Sequence, residues 1–488
     1  MVDLTALGSE NNNPVPDPPA PHSRELLLKK SAEELLPEKM LDQSLEKSTE
    51  MASGESSVQL RDSVSNQSST KKINIAESKP KLAVITQFYP PDFAATGQLV
   101  SELVNALAIA GYSIGVYTGK PGYAFKQADA PSYEEIENII IRRTRSSQVS
   151  PKRIRGKLIN SLFFWLRTLV KLRKKDLRGS HLLITSAPPF LSVVGWFYHK
   201  IFGHTYTCLV YDIYPDVAVR LGVVATSHPI VKIWEEINYR VWRRANSLIV
   251  LSESMKQVLL EIYGCRIPNL IDKIYVIHNW ADESLIKPLT KSENPFAKQH
   301  DLVEPFVVQY SGNLGRCHDT ETILEAIYLL RHQPQIKFVF IGSGAGIPMI
   351  ERAIAQAHLT NVTILPYQDK QTLPYSLTAC DLALVSLKAE AEGVVTPSKV
   401  YGILAAGMPI AAICPPNSYL RSLISEAQCG KCISNGEAQA LVDFILELES
   451  SPHLRATMGN NSRQYLEENF TLAKILPQYM QAIAHQPE

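Results

Sequence analysis

The chain has 488 residues, of which 45% are hydrophobic and 20% are charged, so it is long enough for two ordinary domains and a tail. Its 49 Lys and Arg residues balance 48 Asp and Glu residues, which excludes a general electrostatic attraction to nucleic acid or to acidic substrates. Its seven cysteines are scattered and odd in number, which disfavours a disulfide framework and favours a reduced, cytoplasmic setting. Cys429 and Cys432 make only half of a zinc-type spacing, so we expect no metal site. No run reaches the ~18 apolar residues of a membrane span.

The first domain is predicted from a change in pattern near residue 80. Residues 1–79 are rich in Asn, Pro, Ser, Glu and Lys, a composition that predicts a disordered tail. KLAVITQFYPPD then predicts a buried strand, GQLVSELVNALAIAG a helix and YSIGVYTG the next strand. HLLITSAP, TYTCLVYDIYP, NSLIVLS and KIYVIHN predict further strands, separated by helical patterns. This alternation predicts a parallel sheet covered by helices over residues 80–290.

A second α/β domain follows a polar connection near residues 281–305. The strands FVVQYSGNL, IKFVFIGSG, VTILPY and LALVSLK alternate with helical patterns, which predicts another doubly wound domain over residues 300–470. The last segment, residues 471–488, is interpreted as a helix that can cross back to the first domain. In a pair of such domains the ligand belongs in the cleft, at the carboxyl ends of the strands.

A basic stretch at residues 152–178 stands out from this alternation. It holds ten Lys or Arg residues and one acid, with Leu, Phe and Trp residues at helical spacing. A helix of this kind suits an anionic membrane surface. The alternative is a domain helix with its apolar side in the core and a solvated basic face. The density of aromatic and basic residues favours the membrane surface.

Two loops that join a strand to a helix carry residues typical of anion binding. The first contains Gly97, where free N–H groups and the positive end of a helix dipole are expected to face the cleft. The alternative is that Gly97 serves only the backbone dihedral angles of an ordinary turn, and this loop alone favours neither interpretation. The second contains Gly312, Gly315 and Arg316, whose guanidinium offers a planar fork of donors to the oxygens of a diphosphate. A plain surface arginine is the alternative reading of that residue.

A third glycine loop, IGSGAG, carries Gly342, Gly344 and Gly346 after a strand. Ile347 stands where the last glycine of a dinucleotide fingerprint belongs, which disfavours a nicotinamide dinucleotide. We therefore expect this loop to pack closely against a nucleotide or to serve only as a turn.

The stretch EAEGVVTPSKVYGILAAG contains Glu392, Ser398 and Lys399 at the predicted start of a helix. An ammonium group near the positive end of a helix dipole is unfavourable unless an anion lies between them, so Lys399 predicts a bound phosphate. The small residues that follow also allow the helix to pack tightly. Elsewhere, in YDIYPD, the carboxylate of Asp212 is a candidate to meet an acceptor hydroxyl or to orient a loop. Asp216 is a weaker candidate, because it can equally be a helix N-cap.

These motifs together resemble the GT-B glycosyltransferases of family 4, also called group 1, from about residue 81 to the C-terminus. The resemblance rests on FYPPDFAATGQLVSEL, IHNWAD, YSGNLGRCHDTETILEA and GVVTPSKVYGILAAGMPI. It is strongest to the bacterial enzymes that build exopolysaccharide and O-antigen units, including the colanic-acid fucosyltransferase type.

The resemblance implies an α/β fold of two Rossmann-like domains facing each other across a cleft. It implies a retaining, metal-independent transfer of a sugar from a UDP- or GDP-linked donor, which is a substrate, so no cofactor is expected. The C-terminal domain is expected to hold the donor and the N-terminal domain a lipid-linked glycan acceptor, at the inner face of the cytoplasmic membrane. The residues implied in donor binding are Gly97, Gly312, Gly315, Arg316, Gly342, Ser398 and Lys399. Those implied in catalysis are Asp212, Arg316, Glu392 and Lys399, with Arg316 and Lys399 neutralising the leaving nucleotide.

Two positions depart from the family pattern. Gly402 occupies the place of a glutamate that grips the nucleotide ribose, and Glu392 is the remaining candidate for the first glutamate of that element. The family's loop arginine and lysine correspond to Asn313 and to a position near His318. Two alternatives therefore stay open: a catalytically silent GT-B protein that binds a partner, and a nucleotide-sugar epimerase or hydrolase of similar architecture.

Overall fold

A computed structural model describes residues 82–92, 94–121, 130–144, 164–169, 172 and 180–485. The tail at residues 1–79 and most of the basic stretch at residues 152–178 lie outside the described residues. Within the described ranges, no helix combines the length and the apolar character needed to cross a bilayer.

The N-terminal domain is built on an eight-stranded sheet. Its strands are β1 (Leu82–Ile85), β2 (Ile114–Gly119), β3 (Tyr133–Ile136), β4 (Ile139–Thr144), β5 (His181–Thr185), β6 (Tyr206–Val210), β7 (Ser247–Val250) and β8 (Ile274–Val276). The strands lie in the order β3-β4-β2-β1-β5-β6-β7-β8, and every pair is parallel except β3 with β4. Every residue of β1, β2, β6 and β7 is buried, as expected for a parallel sheet that is covered on both faces.

The helices that accompany this sheet include α1 (Ala95–Ile109), α2 (Val193–Phe202), α3 (Asp216–Arg220), α4 (Pro229–Arg244), α5 (Glu253–Tyr263) and α6 (Leu270–Lys273), and residues 164–169 are also helical. Helix α1 buries Val100, Leu103, Val104 and Leu107, which share one face at the spacing of an amphipathic helix. The Ser252 side chain caps α5 by accepting a hydrogen bond from the Met255 N–H. Local sequence signals thus explain which face of α1 is buried and how α5 begins.

The C-terminal domain carries a six-stranded, fully parallel sheet. Its strands are β9 (Phe306–Ser311), β10 (Ile336–Ile341), β11 (Val362–Leu365), β12 (Leu382–Ser386), β13 (Ile410–Ile413) and β14 (Gly430–Ile433). They lie in the order β11-β10-β9-β12-β13-β14, so the direction of winding reverses between β9 and β12. Ligands of such sheets bind outside the carboxyl ends of the strands at this reversal.

The helices from the connection between the domains onward are α7 (Pro295–Gln299), α8 (Thr320–Leu329), α9 (Ile347–Ala357), α10 (Leu373–Leu377), α11 (Lys399–Ala406), α12 (Tyr419–Ala427), α13 (Ala438–Ser450), α14 (Pro452–Asn469) and α15 (Leu472–Ala484). Helix α8 begins as its sequence predicts, because the Asp319 carboxylate accepts a hydrogen bond from the Thr322 N–H. This is the two-domain α/β fold expected from the sequence.

The end of the chain packs on the N-terminal domain. The Ala482 carbonyl in α15 accepts a 2.7 Å hydrogen bond from the Ser247 hydroxyl in β7. The Tyr275 hydroxyl lies 2.9 Å from the His485 ring. Earlier in the chain, the Glu102 carboxylate of α1 pairs with Lys370 of the C-terminal domain at 3.2 Å. These contacts join the two domains at sites remote in sequence.

Part of the basic stretch is described at residues 164–169 and 172. Phe164 and Leu172 are buried in the core of the N-terminal domain, and the Tyr198 hydroxyl donates to the Leu169 carbonyl. The apolar side of this part therefore packs as a domain helix would. Most of the basic residues lie outside the described residues, so membrane contact by the stretch stays a prediction.

Candidate functional site

The carboxyl edges of the two sheets meet in a short stretch of β-type contact. Asp212, just after β6, forms an antiparallel bridge with Val395, which lies between β12 and α11. The Ile213 N–H donates to the Val394 carbonyl at 3.0 Å. The segment that leads into α11 is therefore fixed against the N-terminal domain, at the edge where a ligand is expected.

Lys399, the first residue of α11, lies at the reversal between β9 and β12. Its Nζ is 3.3 Å from the centroid of the Tyr310 ring, near the end of β9. A side-chain carbon added at Gly312 would lie 3.7 Å from the same nitrogen. The fold thus brings Gly312 and Lys399 together, although they come from different loops.

The Lys399 ammonium group is enclosed by protein, and none of the described residues supplies it with a hydrogen-bond partner. Burial lowers the pKa of Lys399 well below its usual value. An unpaired buried cation is costly, whereas an anion within reach would raise that pKa and provide the missing partner. The position is therefore suited to a negatively charged ligand.

The first turn of α11 adds positive electrostatic potential to the surroundings of Lys399. Ser398 occupies the N-cap position with helical dihedrals, its side chain makes no capping hydrogen bond, and the first turn holds no acid. The capping side chain that would normally accept from the leading N–H groups is therefore missing, and the helix dipole makes this end positive. Such a helix terminus beside an unpaired lysine can bind phosphate oxygens.

The loop after β9 is clamped to the end of β12. His318 Nδ1 lies 2.6 Å from the Ser386 carbonyl oxygen, and the Asp319 N–H donates to the Ser386 hydroxyl at 2.7 Å. The Gly315 carbonyl accepts from the His318 N–H. Burial, followed by the charge of Lys399, lowers the pKa of His318 to about 3. His318 is therefore neutral and positions the loop, so it does not replace the family's lysine as a cation.

Arg316 lies in the same loop with its side chain exposed. Its predicted contact with phosphate oxygens stays a prediction. Asn313, at the family's arginine position, is also exposed, and its carbonyl accepts a hydrogen bond from the Tyr310 hydroxyl at 3.1 Å. The loop thus presents Arg316 to solvent while Asn313 helps to hold Tyr310 beneath Lys399.

The third glycine loop packs against the loop after β9. Gly342 and Gly344 have φ of +128° and +138°, a region that favours glycine. A side-chain carbon at Gly342 would collide with the Gly312 carbonyl, and one at Gly344 would collide with the Leu314 carbonyl. These two glycines therefore allow the two loops to pack closely, and donor contact by Gly342 stays a prediction.

Gly97 lies inside the first turn of α1 and not in the preceding loop, because the helix begins at Ala95. A side-chain carbon at Gly97 would lie 2.9 Å from the carbonyl carbon of Phe88. The glycine thus permits close approach of α1 to the loop after β1. This placement corrects the position expected from the sequence and leaves its diphosphate contact untested.

Asp212 is half-buried on the N-terminal side of the site. Burial raises its pKa to about 6. Its N–H and that of Tyr211 lie within 3.4 and 2.9 Å of the Ser186 hydroxyl oxygen. Asp216 is the first residue of α3 and Pro215 takes the N-cap position, so the N-cap alternative for Asp216 is wrong. Of these two residues, Asp212 is the one whose backbone forms a bridge with the segment leading into α11.

Glu392 is 6% exposed, and both of its carboxylate oxygens are enclosed with no hydrogen-bond partner among the described residues. Its carbonyl accepts a 3.0 Å hydrogen bond from Arg220 Nη1, which joins the two domains. The neighbouring Glu390 is exposed. A carboxylate with two free oxygens has the capacity to accept several hydroxyl groups.

Gly402 lies one turn after Lys399 on α11. A side-chain carbon there would lie 3.4 Å from Leu377 Cδ1 of α10, an ordinary contact distance. The helix therefore has room for a small side chain at this position, whereas a long one would have to displace Leu377.

Sequence reasoning missed two residues of this site, Tyr310 and Cys317. Tyr310 resembles any buried strand residue, and the only local signal is its position two residues before Gly312. Burial, followed by the charge of Asp212, raises the pKa of Cys317, while Lys399 lowers it. Cys317 therefore lies between charged groups from both domains, a placement that only the fold reveals.

Comparison with known proteins agrees with this arrangement. Residues 292–465 match the family described as glycosyl transferases group 1. The chain is 28% identical over 308 residues to the probable glycosyltransferase WbjE of Pseudomonas aeruginosa. The aligned region covers 62% of this chain and 74% of that protein. The chain is 23% identical over 426 residues to the putative colanic acid biosynthesis glycosyl transferase WcaI of Escherichia coli K12. This aligned region covers 83% of the chain and 99% of WcaI.

The fold also matches a solved structure. Alr3699/HepE of Anabaena, crystallised in complex with UDP-glucose, superposes with a TM-score of 0.60 at 17% identity. The match covers 83% of this chain and 99% of HepE. The two facing Rossmann-like domains are therefore a GT-B fold, as the sequence resemblance implied.

Proposed function

We propose that the protein transfers a sugar from a nucleotide-sugar donor to a hydroxyl of a lipid-linked glycan. The match of residues 292–465 to the family described as glycosyl transferases group 1 supports this proposal. The pathway we propose is the synthesis of a cell-surface polysaccharide. The WcaI name, which refers to colanic acid biosynthesis, supports the pathway. The UDP-glucose complex of HepE supports a UDP-linked donor, with GDP as the alternative nucleotide.

The observation that carries the proposal is the unpaired Lys399 at the uncapped start of α11. A nucleotide sugar brings a diphosphate, which has the charge and the acceptor oxygens that this position lacks. In the proposed complex the diphosphate lies between α11 and the loop after β9, with Arg316 reaching it from solvent. The same groups then stabilise the charge that develops as the nucleoside diphosphate leaves. Because this chain supplies that positive charge itself, we propose that transfer needs neither a metal nor a cofactor.

The remaining residues are assigned by their chemistry. In the reaction the bond from the anomeric carbon to the phosphate oxygen breaks, and the acceptor oxygen forms the new bond with retention of configuration. The Asp212 carboxylate, ionised above pH of about 6, orients the acceptor hydroxyl and takes up its proton. Glu392 accepts hydrogen bonds from hydroxyls of the donor sugar through its two free oxygens. We place the reaction in the cytoplasm, at the inner membrane face, with residues 152–178 as an additional contact.

The test is nucleotide release from a panel of UDP- and GDP-sugars by the purified full-length protein, with membrane lipid extract as acceptor. We expect release only when donor and acceptor are both present. Lys399→Met should abolish it, while Lys431→Met, at an exposed lysine of the same domain, should not.

Each other outcome favours one of the open alternatives. Release without acceptor would indicate a hydrolase or epimerase. If no nucleotide sugar raises the melting temperature, the protein is a silent binding module, since a ligand of the native state must stabilise it.

A further inference from the structure

Five consecutive residues of the C-terminal domain lie against the N-terminal domain just before α11 begins. We call residues 392–396 the docking segment. At its start, Arg220 of α3 donates a 3.0 Å hydrogen bond from Nη1 to the Glu392 carbonyl. Two residues later, the Val394 carbonyl accepts a 3.0 Å hydrogen bond from the Ile213 N–H, and Val394 is fully buried. The first half of the docking segment is therefore held by carbonyls that accept hydrogen bonds from the other domain.

The docking segment also contacts α5 of the N-terminal domain and the cap that precedes it. The Thr396 hydroxyl lies 3.4 Å from the Ser252 hydroxyl oxygen and 3.2 Å from the Met255 sulfur. Gly393 has a φ of +73°, and a side-chain carbon added there would lie 2.6 Å from Val258 Cγ2. Nonbonded carbon atoms do not approach so closely. The segment therefore reaches α5 only because Gly393 has no side chain.

These contacts fix the backbone of Glu392 on both sides. The Glu392 N–H donates to the Ala389 carbonyl at 3.3 Å, and the Glu392 carbonyl accepts from Arg220. The Glu392 carboxylate therefore leaves the chain from a defined position, with both of its oxygens enclosed and unpaired among the described residues. A binding group needs support of this kind, because a side chain on a loose backbone does not hold a ligand in one geometry.

The N-terminal domain supports the carboxylate of the candidate site, whereas the cation is supported by the C-terminal domain. The Lys399 amine lies against the Tyr310 ring and near Gly312, which both belong to the C-terminal domain. Arg220 reaches the docking segment across the domain boundary, with its side chain otherwise exposed. Loss of the Arg220 hydrogen bond should therefore disturb the Glu392 carboxylate and leave the surroundings of Lys399 intact.

We propose that Arg220 is a positioning residue for the transfer: its hydrogen bond to the Glu392 carbonyl seats the docking segment on the N-terminal domain and so places the Glu392 carboxylate against the donor sugar. The inference rests on the proposed function and deepens it, because it names the group that positions the carboxylate assigned to the sugar. Arg220 itself touches neither the sugar nor the diphosphate. Affinity for the sugar then depends on contact between the two domains, while affinity for the diphosphate depends on the C-terminal domain.

The test compares a nucleotide sugar with its own nucleoside diphosphate, both titrated into the full-length protein by calorimetry. The probe is the one that the wild type binds most tightly among UDP-glucose, UDP-galactose, UDP-N-acetylglucosamine and GDP-mannose. Arg220→Met should bind this probe about three- to tenfold more weakly, as expected for the loss of one hydrogen bond, and bind the nucleoside diphosphate as the wild type does. Arg220→Lys keeps a donor and should recover part of the loss. Arg240→Met is the matched control, because Arg240 is exposed on α4 and pairs only within that helix, with Glu236.

A second variant and a second measurement separate positioning from a purely structural contact. Gly393→Ala should cause the same selective loss, since its added carbon pushes the docking segment away from α5. Hydrogen exchange of the unliganded Arg220→Met protein should be faster at residues 393–396 and unchanged in β1. Faster exchange with an unchanged ratio of the two affinities would overturn the inference, because the contact would then be structural only. An equal loss of affinity for both ligands would also overturn it.

The wild-type titrations distinguish this inference from the proposed function. If the wild type binds neither the nucleoside diphosphates nor the nucleotide sugars, the proposed function fails and the inference fails with it. If the wild type binds both and Arg220→Met binds both equally well, only the inference about Arg220 fails.

Discussion

Replacing Lys399 with Met should stabilise the protein while removing its donor affinity. The substitution keeps the aliphatic stem of the lysine and deletes an amine that is enclosed and unpaired. Leaving a buried polar group without a partner costs about 1–3 kcal/mol, so the variant should gain up to about that amount in its free energy of unfolding. For a domain of this size, each kcal/mol corresponds to about 2–4 °C in melting temperature.

The stabilisation should depend on pH in one direction. Because the folded-state pKa of Lys399 lies well below that of the unfolded chain, the unfolded state binds a proton that the folded state does not, over the range between the two pKa values. The loss of stability that comes from this proton linkage is therefore absent above about pH 10.4. It grows as the pH falls through the unfolded-state pKa and is complete below the folded-state pKa. The advantage of the Lys399→Met variant should accordingly shrink as the pH is raised toward 10.

Donor affinity should change in the opposite sense. Removing one partner of a buried charge pair costs about 2–5 kcal/mol, which corresponds to at least about a 30-fold loss of UDP affinity. Thermal melts and UDP titrations of the purified wild type, Lys399→Met and the exposed control Lys431→Met measure both effects. The reasoning is refuted if Lys399→Met is less stable than the wild type and still binds UDP normally.

Four further predictions concern protonation and two glycines, Gly402 in α11 and Gly407 directly after it. UDP binding should take up close to one proton and tighten as the pH falls, because the diphosphate raises the lowered pKa of Lys399. Calorimetry in buffers of different ionisation enthalpy measures this proton uptake. The Lys399→Met variant should show none. Transfer by the wild type should fall as the pH drops through about 6, where Asp212 gains a proton, and a pH–rate profile of Asp212→Asn should be slow and lack this limb. Gly402→Ala should stabilise the protein by about 0.5–1 kcal/mol in thermal melts, since its added carbon meets only Leu377. Gly407→Ala should destabilise it, because Gly407 has φ +67° and an added carbon would lie 3.0 Å from Pro288.

The sequence predicts most of the fold because buried parallel strands and amphipathic helices leave strong local patterns. The run LAVI of β1 and the Asp319 cap of α8 are examples, and both lie where the sequence indicates. The antiparallel pair β3 and β4 was not predicted, since YEEI of β3 is largely exposed and carries no hydrophobic run. The start of α1 was placed too late, because the chain offers no capping side chain before Ala95.

The candidate site is only partly readable from the sequence. Gly312 and Lys399 stand out locally, as a loop glycine and as a cation at a helix start. Their proximity depends on the reversal of strand order between β9 and β12, a property of the assembled sheet. The enclosure of the Lys399 amine and the bridge between Asp212 and Val395 depend on contacts between segments that are distant in the chain. Tertiary packing, for which no local pattern exists, therefore determines the electrostatics of the site.

The most direct test of the central claim is a crystal structure of the protein with UDP bound. The claim predicts a diphosphate between the start of α11 and the loop after β9, with Lys399 Nζ about 2.7–3.2 Å from a phosphate oxygen and turned away from the Tyr310 ring. A diphosphate bound elsewhere, or a Lys399 that stays on Tyr310 without touching phosphate, would contradict it.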